Sequence, residues 1–236
     1  MTLSIEKLFQ GDIVPIDKPV DWTSFDVVNK LRFATKIKKV GHAGTLDPFA
    51  TGLLLVCFAK ATKQVETLVN LPKEYIARFK FGIDTDSHDI KGKILAQKNN
   101  VLIDEQMLRS VLLNYIGEIQ QIPPMFSALK IGGKKLYEYA RAGQDVRREP
   151  RTVVVSSINI IEMKKDECLM KINCSKGTYI RSLARDIGKD LGTGAILTEL
   201  RRTKIGDYHV DDAFTIDYFI QNIKETKPSN ECLSGN

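Results

Sequence analysis

The chain has 236 residues, and its 35 basic and 29 acidic side chains give a formal net charge of +6. Hydrophobic residues make up 43% of the sequence, which is ample for a packed core and argues against a disordered chain. No apolar stretch approaches the roughly 20 residues that span a bilayer, and the N-terminal residues lack the features of a secretory signal. These properties predict a cytoplasmic protein with one large domain, or one and a half.

The first half of the chain contains one helix and two strands with clear patterns. A Thr23-Ser24 pair followed by apolar residues at helical spacing in Phe25–Phe33 predicts a capped amphipathic helix. The apolar run Leu53–Ala59 predicts a short buried strand. The segment Tyr75–Phe81 alternates between apolar and basic side chains, which predicts a strand with one face in water.

The second half adds two helices and three strands. Asp104 begins a predicted helix, and apolar spacing in Thr178–Leu191 predicts another, with Gly192 just after its end. Val153–Ile161, Cys168–Cys174 and Ala195–Leu200 are predicted strands. Since helices and strands do not alternate regularly, the sequence predicts an α+β fold with a largely antiparallel sheet flanked by helices.

A basic segment lies between Lys130 and Arg151. It contains seven basic and three acidic residues together with several glycines, so it is typical of an exposed, bendable excursion. Such a concentration of positive charge favours a polyanionic partner, because each phosphate contact releases counterions. On this ground alone, an ordinary solvated loop remains an equal alternative.

The sequence offers no motif for several common chemistries. It lacks a phosphate-binding GxxxxGK loop and a GxSxG nucleophile motif, and His42, His88 and His209 lack metal-ligand spacing. The acidic run Asp84–Asp89 is interpreted as a turn, because a calcium loop needs glycine at its sixth position. The four cysteines have no CxxC spacing, so we expect buried free thiols. No metal or cofactor is predicted.

Glycine, proline and small residues surround a single carboxylate in Gly41–Gly52. This segment predicts a tight loop that displays Asp47 at the edge of a sheet, just before a buried strand. An Asp-Pro pair also commonly begins a turn. Local chemistry therefore leaves a catalytic role and a turn-forming role both open for Asp47.

Six short motifs follow one another between Asp17 and Arg202. In chain order they are Asp17-Lys-Pro19 with Thr23-Ser24; Gly44-Thr-Leu-Asp-Pro48 with Ala50 and Gly52; Lys73-Glu-Tyr75 with Gly82, Thr85, Asp86 and Asp89; Gln121-Ile-Pro-Pro124 with Ser127-Ala-Leu-Lys130, Tyr137-Glu138 and Ala140-Arg141; Lys176-Gly-Thr-Tyr-Ile-Arg-Ser-Leu-Ala184; and Leu200-Arg-Arg202. Together they resemble the motif set of the TruB-type tRNA pseudouridine synthases.

The resemblance implies a pseudouridine synthase fold and an activity. It implies a catalytic domain over residues 1–224 with a basic RNA-clamping insertion at 124–151, followed by a disordered tail at 225–236. The implied reaction isomerises the uridine at position 55, in the T-arm loop of tRNA, to pseudouridine without a cofactor. We expect a monomer whose partner is tRNA, with no membrane contact and no obligate protein partner.

The resemblance also implies three catalytic residues. Asp47 matches the catalytic carboxylate, which either attacks C1′ of the ribose or removes a proton from C2′. Tyr75 matches the residue that stacks on the target base, although its pattern alone fits a core aromatic. Arg181 matches the partner of the aspartate, although its pattern alone fits a helix-surface arginine.

Six further positions are implied to bind substrate. His42 matches a residue that fills the gap left when loop bases flip out, and Tyr179 and Leu200 match pocket-lining positions. The complete implied set of substrate-binding residues is Lys18, His42, Lys130, Arg141, Tyr179 and Leu200.

The chain departs from the family pattern at three places. Asp21 stands where glycine is usual, and Asp adopts positive φ more readily than most residues, so we expect the turn to survive. Phe126 replaces a usual tyrosine and removes one hydroxyl. After Ile223 there is no room for the RNA-binding PUA-type domain of longer members, so we expect catalysis to persist with weaker affinity for the acceptor side of tRNA.

Three alternatives remain. The first is a non-catalytic RNA-binding or RNA-folding protein on the same scaffold, and the second is a pseudouridine synthase that acts on another RNA. The third is a glycoside hydrolase using Asp47, which would normally need a second catalytic carboxylate. The retention of Asp47, Tyr75 and Arg181 together argues against the first.

Overall fold

The computed structural model describes residues 4–225. These residues divide into two compact units, 4–71 with 201–225 and Pro72–Leu200. The helices and strands, in chain order, are α1 Ile5–Gln10, β1 Ile13–Lys18, α2 Ser24–Thr35, β2 Val40–Ala43, β3 Thr51–Phe58, α3 Val65–Asn70, β4 Lys73–Phe81, β5 Ile83–Thr85, β6 Ile94–Gln97, α4 Glu105–Leu113, β7 Gly117–Gln121, β8 Lys130–Ile131, β9 Lys134–Lys135, α5 Leu136–Arg141, β10 Arg151–Met163, β11 Glu167–Cys174, α6 Ile180–Asp190, β12 Ala195–Ile205, β13 Tyr208–His209 and α7 Ile216–Glu225.

Strand β3 is the centre of the first unit. It pairs antiparallel with β1 and β2, and parallel with β12 at the pair Arg202 and Gly52. Its side chains alternate between two buried clusters, Leu54 and Val56 in one and Leu53 and Leu55 in the other. The predicted buried strand is confirmed, and its apolar run is unbroken because both faces are covered.

Helix α2 begins at the predicted place. The side chain of Thr23 accepts a hydrogen bond from the amide of Asp26, and the Asp26 carboxylate accepts one from the amide of Thr23, which is a capping box. The predicted apolar stripe is only partly right, because Phe25 and Phe33 are 61% and 75% exposed. The buried face of the helix is formed instead by Ser24, Val27, Val28, Leu31 and Thr35.

The second unit is built on an antiparallel sheet in which β4, β11, β10 and β7 are neighbours in that order. The alternation predicted for β4 is confirmed. Ala77 and Phe79 are fully buried, while Arg78 on the opposite face forms salt bridges with Glu162 and Glu199. The predicted α+β class with a largely antiparallel sheet is therefore confirmed.

The predicted helices of the second unit differ in accuracy. In α6 the predicted apolar stripe is buried, and Gly192 follows it with φ of 68°. In α4 the cap is right, because Asp104 accepts a hydrogen bond from the amide of Met107 at 2.8 Å. However, the apolar spacing predicts that the helix continues through Tyr115 to Ile116, whereas α4 ends at Leu113.

The basic insertion at 124–151 contains the short β8–β9 pair and helix α5, and most of its charged side chains are exposed. Cys57, Cys168 and Cys174 are buried and form no disulfide, as predicted, whereas Cys232 lies outside the described residues. Within residues 4–225, no helix has the length and apolar character needed to cross a membrane. Glu225 is the last residue of α7, and the rest of the predicted tail lies outside the described residues.

Candidate active site

Residues 44–50, between β2 and β3, form the loop that carries Asp47, here called the Asp47 loop. The hydroxyl of Ser24 accepts a hydrogen bond from the Leu46 amide at 2.9 Å and donates one to the Leu46 carbonyl at 3.3 Å. On the other side, the amide of Asp21 donates to the Pro48 carbonyl at 2.8 Å. The backbone is thus held directly before and directly after Asp47.

Asp21 has the positive φ expected for the residue that replaces glycine. Its φ is 63°, in the left-handed region that Asp tolerates better than most residues. Because its amide binds Pro48, this turn supports the Asp47 loop directly. The expectation that the turn survives the replacement is confirmed.

Lys18 lies under the Asp47 loop at the end of β1 and has no exposed surface. Its ammonium donates to the carbonyls of Trp22 at 2.6 Å, Pro19 at 2.8 Å and Pro48 at 3.2 Å. Burial lowers the pKa of Lys18 to about 8, and the negative charge of Asp47 opposes that shift. These contacts give Lys18 a role in positioning the loop, while direct substrate binding by Lys18 stays a prediction.

Arg202 holds the Asp47 loop from β12 and is only 1% exposed. Its guanidinium donates to the carbonyls of Leu53 at 2.8 Å, Gly44 at 3.0 Å and Thr45 at 3.4 Å, so it ties the start of the loop to β3, the strand that follows it. The sequence placed Arg202 in the last motif but assigned it no role. Its place in that motif was the signal that could have indicated a functional role, since an arginine in a strand is otherwise expected to be exposed.

Gly52 closes the loop at a place where no side chain fits. It has φ of 101° and lies in β3 between Lys18 on β1 and Arg202 on β12. A Cβ added there would meet the Arg202 carbonyl oxygen at 2.3 Å, well inside van der Waals contact. The final glycine of the motif is therefore required by the close approach of three strands.

His42 lies on β2 in the same unit as Asp47. Its Nδ1 is buried and has no hydrogen-bond partner within residues 4–225. Burial and the positive charge of Arg202 lower the pKa of His42 below its usual value. The imidazole is therefore neutral near pH 7, which suits contact with an uncharged base better than contact with a phosphate.

Arg181 lies in the first turn of α6 in the second unit. It is 3% exposed, so the surface position suggested by its helical pattern is wrong. Its guanidinium donates to the carbonyls of Phe126 at 2.7 Å and Ser87 at 3.0 Å, and lies 3.7 Å from the carboxylate of Asp89. Asp89, for which the motifs predicted no role, is itself 5% exposed and helps to fix the orientation of Arg181.

Gln121 anchors Tyr179 where α6 begins. Its side-chain oxygen accepts from the Tyr179 amide at 2.8 Å, and its side-chain nitrogen donates to the Tyr179 carbonyl at 3.1 Å. Tyr75 on β4 is 9% exposed and Leu200 on β12 is 7% exposed. Gln121 was identified in the sequence only as a member of a motif. The structure shows that its side chain binds the backbone of Tyr179.

The implied site residues are thus distributed over both units. The first unit brings Lys18, His42 and Asp47 together around Arg202, and the second contains Tyr75, Tyr179, Arg181 and Leu200. Lys130 and Arg141 are exposed on the basic insertion. The pairing of Asp47 with Arg181 stays a prediction, since these residues belong to different units.

Within residues 4–225, no group of three His, Cys, Asp or Glu side chains is placed to hold a metal.

Comparison with known families identifies the class of this protein. The family described as "TruB family pseudouridylate synthase (N terminal domain)" matches residues 32–180, and "tRNA pseudouridylate synthase B C-terminal domain" matches residues 181–234. The fold and the Asp47 loop thus belong to a pseudouridylate synthase. More narrowly, the chain belongs to the TruB family, which confirms the resemblance seen in the motifs.

Curated relatives agree with this assignment. The tRNA pseudouridine synthase B of Phocaeicola vulgatus is 44% identical over 216 residues, covering 89% of this chain and 92% of that protein. The protein of the same name from Flavobacterium johnsoniae is 43% identical over 226 residues, covering 93% of this chain and 99% of that protein. The one from Clostridium tetani is 43% identical, and the match covers 78% of its length.

Solved structures show the same fold in longer chains. A chain from the crystal structure of a Cbf5-Nop10-Gar1 complex matches 92% of this chain at 32% identity, with a TM-score of 0.71. A chain from an H/ACA RNP bound to a substrate RNA containing 2′-deoxyuridine matches 92% at 29% identity, with a TM-score of 0.68. This chain spans 57% and 56% of those chains, respectively.

Proposed function

We propose that this protein isomerises the T-arm loop uridine of tRNA, at position 55, to pseudouridine, with Asp47 as the catalytic carboxylate. Its membership of the TruB family and the names of its relatives support the reaction. The observation that carries the assignment of Asp47 is the loop itself. One carboxylate is displayed on a backbone fixed by Ser24 and Asp21 and by two buried cations, Lys18 and Arg202.

The reaction requires little chemistry beyond one acid–base group. The N1–C1′ bond breaks, the uracil rotates, and a C5–C1′ bond forms in its place. The proton on C5 leaves and N1 gains a proton, so no atoms are added from a second substrate. A rigidly positioned carboxylate is suited to both the bond-breaking step and the proton transfers.

Asp47 could follow one of two routes. It attacks C1′ to give a covalent intermediate, or it removes the C2′ proton to give a glycal. A substrate deuterated at C2′ separates these routes, because only the second breaks the C2′–H bond. A primary isotope effect on single-turnover rate would support the glycal route.

The other implied residues have defined tasks in this proposal. Tyr75 stacks on the freed uracil, an interaction worth about 1–3 kcal/mol. Arg181, held by two carbonyls and Asp89, offers a fixed positive charge to Asp47. Its contact with residue 126 uses the backbone carbonyl, so the tyrosine hydroxyl that Phe126 lacks is not needed for it.

The substrate-binding residues complete the proposal. Neutral His42 occupies the gap left by flipped loop bases, and Tyr179 and Leu200 line the uracil pocket. Lys130 and Arg141 on the basic insertion bind RNA phosphates. We further propose a cytoplasmic monomer that needs no cofactor and no obligate protein partner.

The test is tritium release from C5-labelled uridine in a T-arm stem-loop transcript and in full-length tRNA. Wild type should release tritium, and Asp47→Asn should release none while it still binds RNA. Asp217→Asn, on the exposed first turn of α7, is the matched control and should behave as wild type. RNA binding by wild type without tritium release from either substrate would instead support the non-catalytic RNA-folding function.

A further inference from the structure

A second strongly basic surface lies in the first unit, where α2 ends and β2 begins. Residues 30–39, here called the basic corner, contain five basic side chains and no acidic one: Lys30, Arg32, Lys36, Lys38 and Lys39. The basic insertion, in contrast, mixes seven basic residues with three acidic ones. The corner is therefore the more uniformly positive of the two segments.

The charges of the basic corner face solvent. Lys30, Lys36, Lys38 and Lys39 are all exposed, and within residues 4–225 none of them forms a salt bridge. Among them lies Phe33, which is 75% exposed, with the Lys36 ammonium 4.1 Å from its ring centroid. An aromatic ring beside cations that form no salt bridge can stack on a base while its neighbours contact phosphates.

The turn that carries these side chains is already rigid. Lys36 has φ of 62° and its amide donates to the Arg32 carbonyl at 3.0 Å. The guanidinium of Arg32 reaches the Val40 carbonyl at 3.4 Å, which ties α2 to β2. Ile37 is 4% exposed and anchors the turn in the core, so that Lys38 and Lys39 project outward. A preformed turn loses little conformational entropy when it binds.

We infer that the basic corner binds the phosphate backbone of the substrate RNA, with Phe33 stacking on an unpaired base. This inference rests on the proposed function, because it takes the substrate to be RNA. Two features favour RNA over a protein partner: lysine is depleted in protein–protein interfaces, and phosphates match a surface of one sign. The corner also leads directly into β2, which carries His42 in the same unit.

The charge is tested by a triple variant, Lys36→Ala with Lys38→Ala and Lys39→Ala. We expect its Kd for full-length tRNA to rise about tenfold, and the slope of log K against log salt to fall by about 0.7–0.9 for each phosphate that the variant no longer binds. The single-turnover rate at saturating RNA should be unchanged. The matched control removes the same charge elsewhere, by Lys7→Ala with Lys60→Ala and Lys63→Ala, which are all exposed and form no salt bridge within residues 4–225.

The ring is tested separately by Phe33→Ala. This change should raise the Kd several-fold and leave the salt slope as in wild type, since it removes stacking but no charge. Thermal unfolding of each variant verifies that the fold is intact.

Two outcomes overturn the inference. One is that the triple variant of the basic corner and the triple control variant weaken tRNA binding equally, which would indicate an effect of net charge alone. The other is unchanged RNA binding by the corner triple, which would assign the surface to another partner, such as an acidic protein. Binding is measured independently of tritium release, so this test gives a result even if the proposed catalytic function fails.

Discussion

The residues that surround Asp47 show how buried positive charge can organise a loop. Lys18 and Arg202 are both removed from solvent, and a buried cation is tolerated only when its donors are satisfied. Both direct their donors at backbone carbonyls of the loop or of the turn beneath it. The same contacts that satisfy the cations therefore fix the backbone and bring the positive charge of Lys18 close to the Asp47 carboxylate.

Arg202→Lys should reduce kcat more than it changes KM. Lysine keeps the charge but cannot present a planar fork to three carbonyls, so the Asp47 loop shifts, and a shift of about 1 Å can cost on the order of 100-fold in rate. Steady-state kinetics and denaturant unfolding measure both effects. Arg201→Lys is the control, because its side chain is 40% exposed and pairs with Asp17. Equal losses of kcat in the two variants would contradict the role of Arg202.

His88 should make the stability of wild type depend on acid pH. Burial, together with the charges of Arg185, Arg181 and Arg148, lowers the pKa of His88 to about 4. The unfolded chain binds this proton near pH 6.5 and the folded chain does not, so stability is lost as pH falls from 6.5 towards 4.

His88→Asn removes this titration and tolerates the φ of 60° at that position. Between pH 7 and pH 4.5, wild type should lose about 2 kcal/mol more unfolding free energy than the variant. Denaturant unfolding at both pH values measures the difference. Parallel losses in the two proteins would show that His88 titrates alike in the folded and unfolded states.

At the scale of whole elements, the predictions were most accurate where apolar residues recur at a regular spacing along the entire helix or strand. The stripe of α6 and the alternation of β4 were both predicted correctly, because each repeats over the full length of the element. Phe25 and Phe33 were placed wrongly because hydrophobicity alone does not fix which face of α2 meets the core. The buried face depends on the pairing of α2 with distant elements.

The candidate site was predictable as a set of motifs but not as a set of contacts. The burial of Arg181 depends on carbonyls at Ser87 and Phe126, which are far away in the sequence. Arg202 likewise reaches carbonyls that precede it by roughly 150 residues. A local pattern therefore indicates that such an arginine is exposed, and only the fold reveals its partners.

The packing of α6 against the start of β12 leaves no space for a methyl group at Gly188. A Cβ there would lie 2.3 Å from the Ala195 amide nitrogen. Gly188→Ala should therefore destabilise the protein by about 1–3 kcal/mol, even though alanine favours helix by about 1 kcal/mol. Denaturant unfolding measures this, with Lys189→Ala on the exposed face as control. Stabilisation by Gly188→Ala would contradict the close contact.

At the scale of the whole molecule, a net charge of +6 is too small to define an RNA-binding protein, and its distribution is more informative. Positive charge is concentrated in the basic insertion and in the basic corner. Within the insertion, however, not every cation is equally available. Arg147 already pairs with Glu149 at 3.0 Å, whereas Arg141 lies 5.3 Å from the Tyr137 ring.

Arg141→Ala should weaken tRNA binding and reduce the salt slope by about 1, as expected when one phosphate is no longer bound. Arg147→Ala should have a smaller effect, because Glu149 already offsets its charge. Filter binding over a range of salt concentrations compares the two variants. A larger slope change in Arg147→Ala would show that the Glu149 pair opens when RNA binds.

The buried cysteines can be used to detect local opening of the folded chain. Burial raises the pKa of Cys57 to about 11 and that of Cys168 to about 12, and only the thiolate reacts readily with alkylating reagents. Labelling of either thiol in the native protein therefore has to wait for an opening event. Cys57 lies in the first unit and Cys168 in the second, so mass spectrometry of labelled peptides would time the opening of each unit separately.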